Sequence, residues 1–431
     1  MKSSINSEIL LFLLAILIRL VFIFAMGFNN NFQLQPDSYD LIKFADQSVI
    51  GNFNFDYGRF IASPGFPIFA ALHKLIFLKY WKIALVLSQL LLSALSVVFL
   101  YKISKLVFKD ELTSKISAIL FCFFPLTFWY VHTFCQETLF QSLFIFSIFH
   151  LIKAYQQESL KSLLISSMLF SLAFLTKSHI LLFSVFIPII LLIHFKNKLK
   201  ALSFSAIFAI VCISSTLPYG LYQKAKNDTY ILSSNGSGIL FYLGNTNAGY
   251  VSICDVPEKG SQDYIKMKDM TVTAGYFNND EARFKQILNL PPNKKQGEFL
   301  KDAIKWLEQN PSKIIKMKIY DIALFLIPGV SYRHYDFKEW LLSFILSFPL
   351  YLFAYIGLII SMKRDFKGHF YFLSIFTSML LFSTIFYVQN RFRTITIEPF
   401  YIIYCAFTIR IILNKFPQVR KYLENYLFNK I

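Results

Sequence analysis

Carboxylates are what this sequence holds least of: 25 Asp and Glu stand against 43 Lys and Arg in 431 residues, and charged residues make up only 16% of the chain. A soluble domain usually carries about 25% charged residues, so this chain lacks the charge to dress a water-facing surface. Glycine (15) and proline (14) are sparse too, and no low-complexity linker or internal repeat is present. Five cysteines remain. Cys122, Cys135, Cys212 and Cys405 lie in or beside apolar runs and only Cys254 falls in a long polar stretch, so no disulfide framework or metal-thiolate spacing follows.

What the chain has is apolar surface: 55% hydrophobic residues, 18% aromatic, and a mean hydropathy of +0.51. This composition belongs to a polytopic membrane protein. A formal charge of +18 suits nucleic acid in principle, but the lysines flank apolar runs instead of forming one basic face. Runs recur at 9–28, 82–104, 115–131, 137–153, 160–176, 180–195, 201–222, 340–362, 370–387 and 395–413. With ~20 helical residues per span, they predict an all-α bundle of about ten transmembrane helices. The first run lacks a small-residue cleavage pattern after it and is read as a retained helix that doubles as the export signal.

The basic residues fix a single orientation. With the N-terminus inside, Lys102, Lys105, Lys109, Lys115, Lys153, Lys161, Lys196, Lys198, Lys200, Lys363, Arg364, Lys367, Lys415, Arg420 and Lys421 all fall on the cytoplasmic side. The short connections 131–137, 176–179 and 389–393 then face outside. Three regions follow: an N-terminal transmembrane module (1–222) whose first outer loop is 29–80, an extracytoplasmic cap (223–312) too poor in periodic apolar residues for a large core, and a C-terminal part (313–431). The apolar stretch 313–326 is short for a crossing and is expected to lie at the interface or to re-enter. Before it, Phe299, Ala303, Ile304 and Leu307 recur at helical spacing, and Asn310-Pro311 closes that amphipathic helix. Asn227-Asp-Thr229 and Asn235-Gly-Ser237 match a glycosylation sequon, a tripeptide that recurs by chance.

With so few acids, those at membrane ends stand out. Asp37 opens a pattern (Leu41, Phe44, Ala45, Val49) that makes it a helix N-cap, with Asp40 in the first turn; a capping carboxylate is ionised and fixed, which also suits a base acting on a hydroxyl. Glu137 starts a span, where capping alone would favour it. Lys177 lies in the abrupt hairpin Leu175-Thr-Lys-Ser-His179 and either snorkels to the interface or meets a phosphate at headgroup depth. Arg391 and Arg393 have the same two readings, with a guanidinium fork better matched to phosphate oxygens. Arg59, in the first outer loop, is a further candidate for phosphate charge. His73, His132 and His179 show no ligand spacing and are read as packed or interfacial.

Several of these stretches together resemble the C-type glycosyltransferase superfamily, in particular the branch of protein O-mannosyltransferases, aminoarabinose lipid A transferases and their bacterial relatives. Asp37-Ser-Tyr-Asp-Leu-Ile-Lys-Phe-Ala45 resembles the acidic start of that family's first outer loop, and Ser63-Pro-Gly-Phe-Pro67 its Pro-Pro-Gly-Tyr-Pro stretch. Glu137-Thr-Leu-Phe140 is similar to the acidic start of the fourth span, and Leu175-Thr-Lys177 to a basic hairpin. Leu243-Gly-Asn-Thr-Asn-Ala-Gly249, Trp306-Leu-Glu-Gln-Asn-Pro311 and Arg391-Phe-Arg-Thr-Ile-Thr-Ile-Glu-Pro399 resemble the cap and last outer turn of the bacterial relatives. The chain departs at Ser63, where relatives commonly carry a basic residue, and Arg59 is only a nearby substitute.

The resemblance implies a GT-C bundle in the cytoplasmic membrane. It implies transfer of a hexose or pentose from a polyprenyl-phosphate donor to an acceptor hydroxyl on a lipid, glycan or protein outside the cytoplasm. Asp37 would be the base of a single inverting displacement with Glu137 in support, and Arg59, Lys177, Arg391 and Arg393 would meet the donor phosphate. No cofactor is required; a divalent metal is compatible with the family, but no residues indicate one. A transporter or lipid flippase is the alternative, which would gather its charges near mid-membrane. A structural subunit of an envelope assembly, with the acids serving only as caps, is a third.

Overall fold

The computed structural model describes residues 2–26, 36–268, 276–278, 280–332 and 335–422, and within these the chain is helical. The N-terminal part runs α1 (Lys2–Ala25), α2 (Pro36–Val49), α3 (Gly65–Phe77), α4 (Trp81–Phe108), α5 (Glu111–Phe123), α6 (Glu137–Gln157), α7 (Leu160–Thr176), α8 (Leu181–Ser184), α9 (Phe186–His194) and α10 (Lys198–Asn227). A polar stretch carries α11 (Ser237–Gly244), α12 (Asn247–Cys254), α13 (Gln262–Lys268), α14 (Glu281–Leu288) and α15 (Pro292–Gln309). Then come α16 (Pro311–Leu326), α17 (Phe337–Arg364), α18 (Phe366–Ile385), α19 (Asn390–Thr396), α20 (Glu398–Leu413) and α21 (Pro417–Tyr422).

The apolar runs fold as helix, but not as ten equal spans. Six helices among the described residues are long and apolar enough to cross a membrane, or up to seven if the α19–α20 pair, bent by 58°, counts as one. The run expected at 115–131 stops as α5 at Phe123. Pro125 forces Phe124 out of helical geometry (φ −78°, ψ 107°), and two short 3-10 turns replace the second half. The 180–195 run is broken between α8 and α9. Within α16 the chain is 16 residues long and joins none of the spans.

Tight turns join helices at the lysine-rich end. Lys109 takes a left-handed conformation (φ 53°) and Asp110 at once caps α5 by accepting from the Thr113 N–H; Glu158 (φ 47°) and Ser159 do the same between α6 and α7. The central helix α6 is buried along most of its length, against α4 and α7. Small hydroxyls cross-link it: Ser142 to Ser96 at 3.0 Å and Ser147 to the Ser166 carbonyl at 3.0 Å. Such groups let helix backbones approach in an apolar medium.

The polar stretch encloses a small cluster of its own (Ile239, Tyr242, Leu243, Phe284, Ile287, Phe299, Ala303) against which Phe60 of the first loop packs. Lys295 donates to the Gly58 carbonyl and Gln296 to the Arg59 carbonyl, so α15 grips that loop. At Gly244 a Cβ would overlap the Phe386 carbonyl oxygen, and the Asn245 amide donates to Ile385 O at 2.8 Å. This contact seats the turn between α18 and α19. Gly244→Ala is therefore expected to push that turn aside and lower stability by about 1–3 kcal/mol or more, read as a depressed melting transition of the detergent-solubilised protein.

Candidate functional site

Four charged side chains from distant parts of the chain meet at the end of the bundle opposite the lysine-rich turns. Asp37 comes from the first turn of α2, Glu137 from the start of α6, Lys177 from the hairpin after α7, and Arg391 from the start of α19. The helix starts at Pro36, so Asp37 lies inside its first turn and is not the cap expected from the pattern. Arg391 Nη1 lies 3.0 Å from Asp37 Oδ2 and 3.8 Å from Glu137 Oε1, and Lys177 Nζ lies 2.9 Å from that same Glu137 oxygen. Glu137 and Lys177 are buried (3% and 5% exposed), whereas Asp37 and Arg391 are open (43% and 38%). The inner pair thus anchors an outer pair that solvent or a ligand can reach.

Local hydrogen bonds explain the convergence. Ser38 Oγ donates to the Phe134 carbonyl at 2.7 Å, tying the start of α2 to the loop that leads into α6. Gln89 of α4 holds that loop through the Val131 and Thr133 carbonyls. His179 meets Thr396 Oγ1 at 3.2 Å and joins the Lys177 hairpin to α19. Gly65, in the Pro-Gly-Phe-Pro stretch, has no room for a Cβ beside Thr176, so α3 presses directly on the base of the hairpin. Ser63 pairs with Ser233 at 3.0 Å, and Ser233 in turn donates to Phe174 O.

The surroundings are aromatic. Lys177 lies under the Phe392 ring. Burial, and after it the Asp37 and Asp40 charges, raises the Tyr57 phenol above its usual range; Arg59 and Arg391 act on the same phenol in the opposite sense. Burial and Glu137 likewise raise Tyr130. Neither tyrosine, nor Gln389, which accepts from Arg391 Nε at 2.8 Å, was singled out by sequence reasoning. Tyr and Gln in a chain with 24 tyrosines carry no distinguishing signal.

Two other expected site residues have different partners. Arg59 has its carbonyl held by Gln296 and its guanidinium against the Tyr57 and Phe60 rings. Arg393 turns inward. It is 1% exposed, pairs with Glu398 at 3.3 Å, and donates to the carbonyls of Leu324, Phe325, Ile327 and Gly329. It serves as the cap on the C-terminus of α16, which a phosphate contact would have to dismantle. Arg393→Lys is expected to lower the melting transition by loss of about 2–4 kcal/mol, because an ammonium cannot span that carbonyl fan. His73, His132 and His179 are buried and packed. No group of three or more metal-ligating side chains occurs among the described residues.

Known proteins share features of this chain. Residues 62–219 match the family model described as dolichyl-phosphate-mannose-protein mannosyltransferase. Among curated proteins no sequence matches. The archaeal oligosaccharyltransferase AglB from Archaeoglobus fulgidus, solved in complex with an inhibitory peptide and a dolichol-phosphate, superposes with a TM-score of 0.54 at 14% identity, covering 98% of this chain and 51% of that one. The apo form of the Archaeoglobus fulgidus oligosaccharyltransferase gives 0.54 at 14% identity (98% and 52%), and the form tethered to an acceptor peptide gives 0.51 at 14% (98% and 51%). The chain spans about half the length of these enzymes.

Proposed function

We propose that this chain, a multi-pass membrane protein with the fold of the C-type glycosyltransferases, moves a sugar from a polyprenyl-phosphate donor to an acceptor hydroxyl at the non-cytoplasmic face of the cytoplasmic membrane. The observation that supports this most is the meeting of Asp37, Glu137, Lys177 and Arg391 at one end of the bundle. The lysine bias of the turns supports the outward orientation of that end. AglB, solved with a dolichol-phosphate and a peptide, supports a lipid-linked donor and a site open to an acceptor.

The chemistry follows from the positions. The acceptor oxygen attacks the sugar C1 as Asp37 takes its proton, the C1–O bond to the lipid phosphate breaks, and the phosphate leaves with the electron pair. Arg391 meets the growing phosphate charge at the open rim, with the buried Lys177 below it. Glu137 is a positioning residue that holds both cations.

The test is direct. Purified protein is incubated with labelled polyprenyl-phosphate sugars and an acceptor extract, and the release of free lipid phosphate is followed. Release that depends on the acceptor is the expected result. Vectorial movement of intact donor across proteoliposomes without bond cleavage would replace the transferase by the flippase.

A further inference from the structure

One buried acid takes no part in this scheme. Asp321 lies on α16, outside the spans, and is 2% exposed. Its Oδ2 accepts from Lys318 at 3.2 Å, while Oδ1 is sealed from solvent and has no hydrogen-bond partner among the described residues. Burial lifts its carboxyl to about 7, the Lys318 ammonium opposing, and burial lowers Lys318 in turn. An unmet buried acceptor costs about 1–3 kcal/mol and calls for a reason.

Its surroundings supply one. Lys318, at 22% exposed, also reaches toward the Gly244 carbonyl in the Gly-Asn-Thr turn. Val388, next to Tyr387, packs against Met317 and Leu324 on the same helix as Asp321, and Gln389 accepts from Arg391 Nε at 2.8 Å. The segment 387–391 thus joins the open Arg391–Asp37 pair to the helix that carries Lys318 and Asp321. We propose that Lys318, Asp321 and Tyr387 form a subsite for the hydroxyl groups of the donor sugar, whose phosphate sits at Arg391. This inference rests on the glycosyltransferase reading and extends it.

The ligand class follows from the chemistry of the pair. Lys318 already neutralises Asp321, so a metal cation gains little there. A neutral polyol fits, because one donor and one unmet acceptor side by side match two neighbouring sugar hydroxyls, and a ring can lie on Tyr387.

Binding separates this from a structural ion pair. Wild type, Asp321→Asn and Lys318→Met proteins are compared for retention of labelled polyprenyl-phosphate mannose, glucose and N-acetylglucosamine, and of sugar-free polyprenyl phosphate. Both variants are expected to bind the preferred sugar-bearing lipid at least tenfold more weakly, with binding of the sugar-free lipid changed less than twofold. Equal losses for both lipids, or no loss, overturn the subsite while leaving the parent reading standing. Should Asp321→Asn fail to fold, Lys318→Met, at the less buried partner, decides alone. A wild-type protein that retains neither lipid overturns the parent reading and the subsite with it.

Discussion

Asp37→Asn is expected to cut sugar transfer by about 100-fold or more, with the protein still accumulating, melting as wild type and binding polyprenyl phosphate. The substitution changes little else. Asparagine keeps the shape of the side chain, and its amide oxygen can still accept from Arg391 Nη1, now 3.0 Å from Oδ2. Asp37 is 43% exposed and makes no contribution to the core, so the fold has little to lose. What disappears is the capacity to take a proton from an acceptor hydroxyl, which alone is a poor nucleophile. Turnover should therefore fall in kcat with the donor KM nearly unchanged. Transfer at the wild-type rate by an Asp37→Asn protein would remove the base from the mechanism and leave Asp37 as a first-turn acid that complements the helix dipole.

The positions from the sequence reading that the structure brings together share one property: each is a charge near the end of an apolar run or helix, where membrane energetics make it conspicuous. Asp37, Glu137, Lys177 and Arg391 meet that description, and they are the four that converge. Arg393 met it too. Residues two apart on a helix point about 200° away from each other, so one arginine of the Arg391-Phe-Arg393 turn faces the cluster and the other faces the core. Sequence spacing shows that they differ but not which is which; the carbonyls awaiting Arg393 at the end of α16 decide it, and they are more than 60 positions away. The bundle itself was legible from hydropathy because every span must satisfy its own backbone. Its interruptions were less so. Pro125 carried a readable signal for ending α5, and Pro188 carried one for the break between α8 and α9 that went unused: without an N–H it cannot bond back to Ser184, where α8 ends. Asp321 was readable in hindsight, as a lone acid within Ile-Tyr-Asp-Ile-Ala-Leu of a stretch judged only by its length.

Glu137→Gln is expected to be the most destabilising change in the site, at about 3–5 kcal/mol, since removing one partner of a buried ion pair strands the other charge. Lys177, 5% exposed, would be left with no carboxylate within reach but the more distant Asp37, which Arg391 already holds. Lys177→Met should cost less, because Glu137 would keep Arg391 at 3.8 Å. The double variant, Glu137→Gln with Lys177→Met, removes both charges and should recover most of the melting temperature lost by Glu137→Gln alone. Activity is expected not to follow stability. The double variant keeps its fold yet lacks the inner cation for the leaving phosphate and the carboxylate that holds Arg391 in place, so its transfer rate should stay at least about tenfold below wild type. Melting curves in detergent, read beside release of lipid phosphate from the same preparations, separate the two roles. If all three variants melt like wild type, the pair is not buried as the geometry requires. If the double variant regains both stability and full transfer, Lys177 and Glu137 only hold the hairpin against α6, and phosphate stabilisation falls to Arg391 alone.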